Sequence, residues 1–407
     1  MDKLDYTKNG CFMKTCLFFT TLLLSCNTLA EINFDTPSGN LRLYGDVEFN
    51  MDAASSANQL LSTRTSPNKD WEATDNERWS INGRILLGMD GYRELTNGNF
   101  AGFTAQPLAD MSGNMNLDDA AFYFGQKAGG KNDWRATVGR FEAYDMFPLN
   151  QDTFIEYSGN TANDLYADGF GYIYMMKEGR GRSNSGGNFM LSKYVDNWYF
   201  ELNTLVEDGS DLYADNAYHG YNLTRKKNTV YLRPVIAWRG DGFSTAIAAE
   251  SNVVNNAYGS YDANGEWQDL SGRNGFGWTA TFQPKSDITA NLNVAYMDAQ
   301  DEKDFTAGAN ILWDKFEIGY IWAQNKIEDF NKDSFQYRDD FIDQDGKYQI
   351  NTIHTSYHFA NVLDMDNFNI YLGAYWSLIK RESNNLSSDG DDSDDRYGVR
   401  VRFKYYF

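Results

Sequence analysis

The chain has 407 residues and a formal net charge of -21, with 27 Tyr, 27 Phe, 10 Trp and 35 Gly against 6 Pro. That mix predicts many strands and turns, and so acidic a protein is not a nucleic-acid binder. Mean hydropathy is -0.59, and no apolar run reaches the roughly 20 residues of a membrane-crossing helix, so any passage through a bilayer is made by strands.

At the N-terminus, Cys16 to Leu24 is apolar, preceded by Lys14 and followed by Thr28-Leu29-Ala30. This predicts a secretory signal peptide over residues 1–30, cleaved after Ala30, with translation starting at Met13. A lipoprotein box at Leu23-Leu24-Ser25-Cys26 ranks lower, because the small residues at 28 and 30 suit ordinary cleavage. Cys11, Cys16 and Cys26 all lie in the removed segment. Residues 31–407, read as one barrel domain, are therefore expected to hold no disulfide, no thiolate metal site and no cofactor.

The first strand follows at once: Leu41, Leu43, Val47, Phe49 and Met51 alternate with Arg42, Tyr44, Asp46, Glu48 and Asn50. A period of two over about 9 to 11 residues is the pattern of a tilted transmembrane strand with lipid on one face and water on the other. Ile81, Ile85 and Leu87 against Asn82 and Arg84 give another, and Trp134 to Phe141 a third.

Glu142 to Asp168 then breaks the alternation, with many acids and aromatics and neither lysine nor arginine. In a barrel such a connection is expected to fold into the lumen and narrow it. The expected constriction sets Glu142, Asp145, Asp152 and Glu156 of this loop against a basic wall of Arg42, Arg84, Arg400 and Arg402, whose parity is lumenal. Tyr144, Phe147, Phe154, Tyr157 and Tyr166 are the candidates for stacking on pyranose rings, with packing of the loop onto the wall as the alternative for each. Tyr44, Tyr199, Tyr231, Tyr371 and Tyr375 could extend a stacking path along the lumen.

Two runs in this region carry a resemblance: G-R-F-E-A-Y-D-M-F-P from Gly139, and D-T-F-I-E-Y-S-G-N-T-A-N-D-L-Y-A-D-G-F-G-Y-I-Y-M-M-K-E-G-R-G-R-S ending at Ser183. They resemble the raffinose-type glycoporins, an outer-membrane family associated with oligosaccharide uptake. The resemblance implies a sugar-permeable pore; periodicity alone implies only a barrel. No binding residue is carried over from the family.

Further alternating segments cover Trp198 to Asn203, Val230 to Trp238, Phe276 to Phe282, Ile288 to Tyr296, Phe316 to Trp322 and Phe368 to Leu378. From Trp238 onward short turns are expected near 240–242, 284–287 and 314–315. Long loops are expected at 254–274, 326–347 and 380–396, with a modest connection at 298–303. Short turns on the periplasmic side and long loops outside place the C-terminus in the periplasm. The acid run Asp389 to Asp395 reads first as a solvated loop and second as a cation site bridging lipopolysaccharide phosphates.

The chain ends V-R-V-R-F-K-Y-Y-F, with Val399, Val401, Phe403, Tyr405 and Phe407 on one face. A terminal aromatic strand of this kind is read by the barrel-assembly machinery. The fold expected is an all-β, antiparallel transmembrane barrel of about 16 strands, chosen from 17 candidate segments, with 14 and 18 as alternatives. The function expected is passive diffusion of oligosaccharides and other small hydrophilic solutes across the outer membrane, the rival being an unselective porin. Lipid, lipopolysaccharide and a homotrimeric assembly are the other expected partners. A barrel enzyme is the third reading, since His354 and Ser356 share a strand face, but no third residue orients that histidine.

Overall fold

A computed structural model describes residues 31–55, 77–111, 113–128, 132–151, 173–176, 186–213, 217–329, 331, 345–382 and 393–407. The signal segment 1–30, and Asp152, Phe154, Glu156, Tyr157 and Tyr166 of the expected constriction, lie outside these residues.

In chain order the strands are β1 (Ile32–Thr36), β2 (Gly39–Ala54), β3 (Arg78–Glu94), β4 (Asn99–Asp110), β5 (Met115–Gln126), β6 (Trp134–Arg140), β7 (Gly187–Val195) and β8 (Trp198–Glu207). Next come β9 (Ala217–Tyr218), β10 (Tyr221–Asn222), β11 (Thr224–Arg225), β12 (Thr229–Arg239), β13 (Phe243–Asn252), β14 (Tyr258–Tyr261), β15 (Trp267–Asp269) and β16 (Arg273–Lys285). The last six are β17 (Ile288–Ala299), β18 (Glu302–Trp313), β19 (Phe316–Ile327), β20 (Gly346–Phe359), β21 (Phe368–Glu382) and β22 (Ser393–Tyr406).

Sixteen of these, β2 to β8, β12, β13 and β16 to β22, pair antiparallel with their neighbours, and β2 with β22 closes the ring. Closure leaves no sheet edge for lipid to meet, which is the condition for crossing a bilayer as strands. Alternation does the sorting: Ile81, Leu87, Phe122, Leu191, Leu202, Ile247, Leu292 and Val399 are exposed on the outside, whereas Glu48, Asn203, Arg233, Asn293 and Arg402 are buried within.

β1 is the seventeenth strand of the sheet and does not widen the ring. Ile32 pairs with Leu43, while Phe407 exchanges both backbone hydrogen bonds with Gly45. β22 and β1 therefore lie end to end along one edge of β2. Gly45 has no side chain because the Phe407 ring occupies that place: a Cβ there would stand 2.6 Å from it.

Short turns at 95–98, 196–197, 240–242, 286–287 and 314–315 fall at one rim; the other rim carries the long connections together with the short ones at 111–114 and 300–301. Two expectations are corrected. The modest connection at 298–303 is a tight turn at Gln300–Asp301, because β17 and β18 pair as far as Ala299 and Glu302. The acidic loop is shorter than 380–396: β21 runs to Glu382 and β22 begins at Ser393, so Asp394 and Asp395 are strand residues.

On the outer rim the connection 208–228 packs with 253–272 around Tyr213, Tyr218, Tyr258 and Leu270. It reaches across to β18, where His219 Nε2 lies 3.1 Å from Glu302, both fully buried. Tyr221 donates to Asp329 at 2.7 Å, and burial, then that carboxylate, push its phenol up to about 12, so it stays a donor at any ordinary pH.

At the end of β6 the chain leaves the wall and turns inward at Gly139, where φ is +133° and a Cβ would lie 2.2 Å from the Ala120 carbonyl oxygen. Only glycine accepts that backbone without strain. Gly139→Val is expected to cost about 1–3 kcal/mol and to lower the temperature at which the folded barrel loses its compact gel mobility.

Candidate solute pathway and constriction

Residues 141–151 enter the lumen and cross to the far wall. Phe147 is fully buried among Ile321, Ala323, Tyr348, Ile350 and Ile379 of β19 to β21, together with Met175. Met146, Tyr174 and Met176 pack on Val235, Ala246, Ala248, Ala295 and Met297 of β12, β13 and β17. The wall beneath is built of small residues so that the segment can lie against it. A Cβ at Gly308 would sit 2.9 Å from the Phe147 ring, one at Gly275 2.1 Å from the Tyr174 hydroxyl, and one at Gly277 3.1 Å from Met176 sulfur.

Polar groups pin the tip. Asn150 Nδ2 donates to Asn310 at 2.8 Å, Asn310 Nδ2 to the Pro148 carbonyl at 3.0 Å, and the Gln151 amide to Glu317 at 2.9 Å. Ser356 Oγ donates to Gln151 Oε1 at 2.7 Å, so it belongs to this anchor. His354 lies over Gly319, where a Cβ would meet its Nε2 at 2.1 Å, and makes no hydrogen bond among the described residues. The histidine and serine that share a strand face form no nucleophile and base pair.

These contacts correct part of the expected stacking set. Phe147 has no free ring face and is a packing anchor. Tyr144 stacks on Tyr199 at 5.5 Å between ring centres and is half-buried. Of the described loop acids, Glu142 is exposed, and Asp145 is buried with one oxygen accepting the Phe147 amide at 2.8 Å. Tyr231 and Tyr375 face inward yet are buried.

The four arginines lie on adjacent strands as expected, but each meets a carboxylate of its own wall. Arg400 grips Asp52 with two bonds of 2.6 and 2.8 Å. Arg402 donates to Asn50 at 2.8 Å and lies 3.3 Å from Glu48, which also takes Lys404 at 3.3 Å. Arg84 faces Asp118 at 3.4 Å and Asp46 at 3.8 Å; Arg42 faces Asp90 at 2.5 Å and Glu31 at 3.3 Å. The expected purely basic surface is thus a ladder of alternating charge. Asp52→Ala leaves the buried Arg400 without its fork partner and is expected to destabilise the barrel by about 3–5 kcal/mol. The check is its thermal unfolding, with Asp52→Ala/Arg400→Met recovering most of the loss.

Sequence reasoning found only part of an aromatic arc, through Tyr44, Tyr199 and Tyr371. In the half of each strand nearest the short turns, inward-facing rings follow one another around the lumen: His358 and Tyr371, Tyr406, Tyr44, Tyr92, Phe100, Tyr123, Tyr194 and Tyr199, then Tyr144 on the loop. His358 and Tyr371 stack at 4.4 Å; Tyr92, Phe100 and Tyr123 follow at 5.9 and 6.4 Å; Tyr194 and Tyr199 are 4.9 Å apart. Arg42 lies over Tyr44 at 4.6 Å and Arg135 over Tyr123 at 3.9 Å. The opposite arc is amide and hydroxyl: Thr281 donates to Asn291, and Thr279 to Asn293, both at 2.7 Å, with Asn310 and Asn150 beside them. The loop lies over this amide arc, whose Thr279, Asn291, Asn293 and Asn310 are buried beneath Pro148 and Asn150, so the passage offers ring faces on one side and the loop on the other.

A closed sixteen-stranded barrel with an inward loop and a polar, charge-lined interior defines a porin of the outer membrane, a channel for passive diffusion. The profile described as porin-like glycoporin RafY matches residues 43–407, and the chain belongs to that family. No curated protein sequence matches the chain. Among solved structures, the outer-membrane channel DcaP of Acinetobacter baumannii is similar with TM-score 0.57 and 12% identity, over 92% of this chain and 99% of that one. OprB of Pseudomonas putida gives 0.55 and 10%, over 89% and 94%, and the anion-selective porin of Comamonas acidovorans 0.52 and 12%, over 90% and 99%. At such identities the likeness is one of fold.

Proposed function

We propose that this channel passes oligosaccharides together with other small hydrophilic solutes and ions. The arc of partly accessible aromatic rings along the lumen is the observation that carries the reading. A pyranose has apolar faces and a rim of hydroxyls, so the ring faces, with accessible groups of the charge ladder such as Arg42, Asp90 and Arg84 beside them, match it in several successive positions. Many weak contacts favour transit, whereas one tight site would hold the solute. An unselective porin would share the charge ladder but has no use for a row of rings.

Ion preference is a separate property of the same lumen. Arg42→Gln with Arg84→Gln is expected to shift reversal potential towards cations, since both arginines are accessible from the lumen and their carboxylate partners remain. Replacing Tyr144 and Tyr157 by alanine is expected to weaken sugar block more than ion conductance; equal loss of both points to a collapsed loop.

The reading includes a signal peptide removed after Ala30, recognition of the Phe407 strand by the assembly machinery, a homotrimer, and contact with lipopolysaccharide. The test of the function is single-channel current with added tri- and tetrasaccharides. Saturable block supports an oligosaccharide path, and its absence supports an unselective pore.

A further inference from the structure

The outer surface carries a feature that solute passage does not use. On the half of the barrel nearest the long loops, Lys303, Lys326, Lys347 and Lys380 occur one on each of the four consecutive strands β18 to β21. All four share the outward parity of Phe305, Tyr320, Ile353 and Trp376. Register brings them into a row: Lys303 is directly opposite Lys326, Lys326 opposite Lys347, and Lys380 opposite Gln349, two residues from Lys347. At strand spacings of about 4.8 Å the row extends roughly 15 Å.

Like charges directly opposed across strands destabilise a sheet, so this arrangement has a cost that requires an offset. Glu328 lies 2.8 Å from Lys326 and 3.5 Å from Lys303, Glu382 lies 3.1 Å from Lys347, and Asp298 is opposite Lys303. These pairs are exposed, with the lysine side chains 39–56% accessible, and pairs of that kind hold weakly. Lys380 has no ion pair among the described residues. Below the row, Phe305 and Trp322 pack at 5.7 Å on the outward face, as an interfacial aromatic belt does, which sets the ammonium groups at the headgroup level of the outer leaflet.

We infer that Lys303, Lys326, Lys347 and Lys380 form a binding site for the phosphate groups of a phosphorylated glycolipid in the outer leaflet. Adjacent phosphomonoesters on a sugar headgroup span several strands, and each carries more charge than the single carboxylate it displaces. Acyl chains then lie along the apolar belt beneath. This gives the lipopolysaccharide contact a place on the barrel, separate from the lumen.

The test is native mass spectrometry of the full barrel in detergent with bisphosphorylated lipid A, the same lipid dephosphorylated, and inorganic phosphate alone. The bisphosphorylated lipid is expected to be retained at least about tenfold better than the dephosphorylated one. Inorganic phosphate at equal concentration should leave no adduct. The K303Q/K326Q/K347Q/K380Q variant, its fold checked by compact gel mobility, is expected to lose that preference, and the corresponding four Lys→Arg changes to keep it. Equal retention of the two lipids by the unaltered barrel, or a preference undiminished in the glutamine variant, overturns the site. A phosphate adduct as persistent as the lipid's overturns the lipid assignment. Sugar block is unaffected by any of these results.

Discussion

Phe147→Ala is expected to release the constriction, giving a larger and noisier single-channel conductance from a barrel that still forms. The ring is wholly buried against β19 to β21 and against the bare backbone of Gly308, and truncating so enclosed a phenyl costs about 3–5 kcal/mol. Met146 stays packed on β12, β13 and β17, so the chain is freed only beyond it, where the remaining anchors are hydrogen bonds at Pro148, Asn150 and Gln151, worth about 1 kcal/mol each. Gly308→Leu is expected to act in the same direction from the other side, because its side chain would occupy the seat of the ring. Both are checked by planar-bilayer recording, with gel mobility showing that the wall is intact. Unchanged conductance in both would mean that the loop is held elsewhere.

Replacing Tyr44 and Tyr123 together by leucine is expected to weaken oligosaccharide block about tenfold while ion conductance changes little. Both rings face the lumen and remain partly accessible, with Arg42 and Arg135 over one face of each. Each ring lost removes about 0.5–1.5 kcal/mol of stacking, and 1.4 kcal/mol in total already corresponds to the tenfold change. Leucine keeps the apolar volume and removes only the flat face and the hydroxyl, so a loss of block reports stacking and not filling. The measurement is sugar-induced current noise across a concentration series.

Much of this architecture could be read from side-chain alternation. The V-R-V-R-F-K-Y-Y-F ending, the parity of Arg42 with Arg84, Arg400 and Arg402, and the placement of short turns at one rim all follow from a period of two, which is local. The inward course of the loop was legible because Glu142 to Asp168 abandons that period while staying rich in aromatics. What escaped depends on register. Asp52 could be seen on the lumenal face of its strand, but only the pairing of β2 with β22 brings it to Arg400, so a mixed wall looked basic. Phe147 and Tyr144 are three residues apart in one loop and indistinguishable as sequence; the glycine and alanine seats that bury the first lie on strands more than 90 residues away. Those seats were visible as small residues at lumenal positions, Gly308 in β18 and Ala323 in β19, and they are the signal that a segment packs there. The aromatic arc was seen in part, through Tyr44, Tyr199 and Tyr371. Tyr92, Phe100, Tyr123 and Tyr194 were missed because their strands were not resolved in the pattern between residues 88 and 195.

Liposome swelling with sugars of graded size tests the central claim most directly, that the ring-lined side of the lumen conducts saccharides. Proteoliposomes of the mature barrel are expected to swell with tri- and tetrasaccharides faster than molecular size alone predicts, and the Tyr44→Leu/Tyr123→Leu barrel to lose that excess while monosaccharide entry is kept. Swelling that simply declines with size, identically in both barrels, would contradict it.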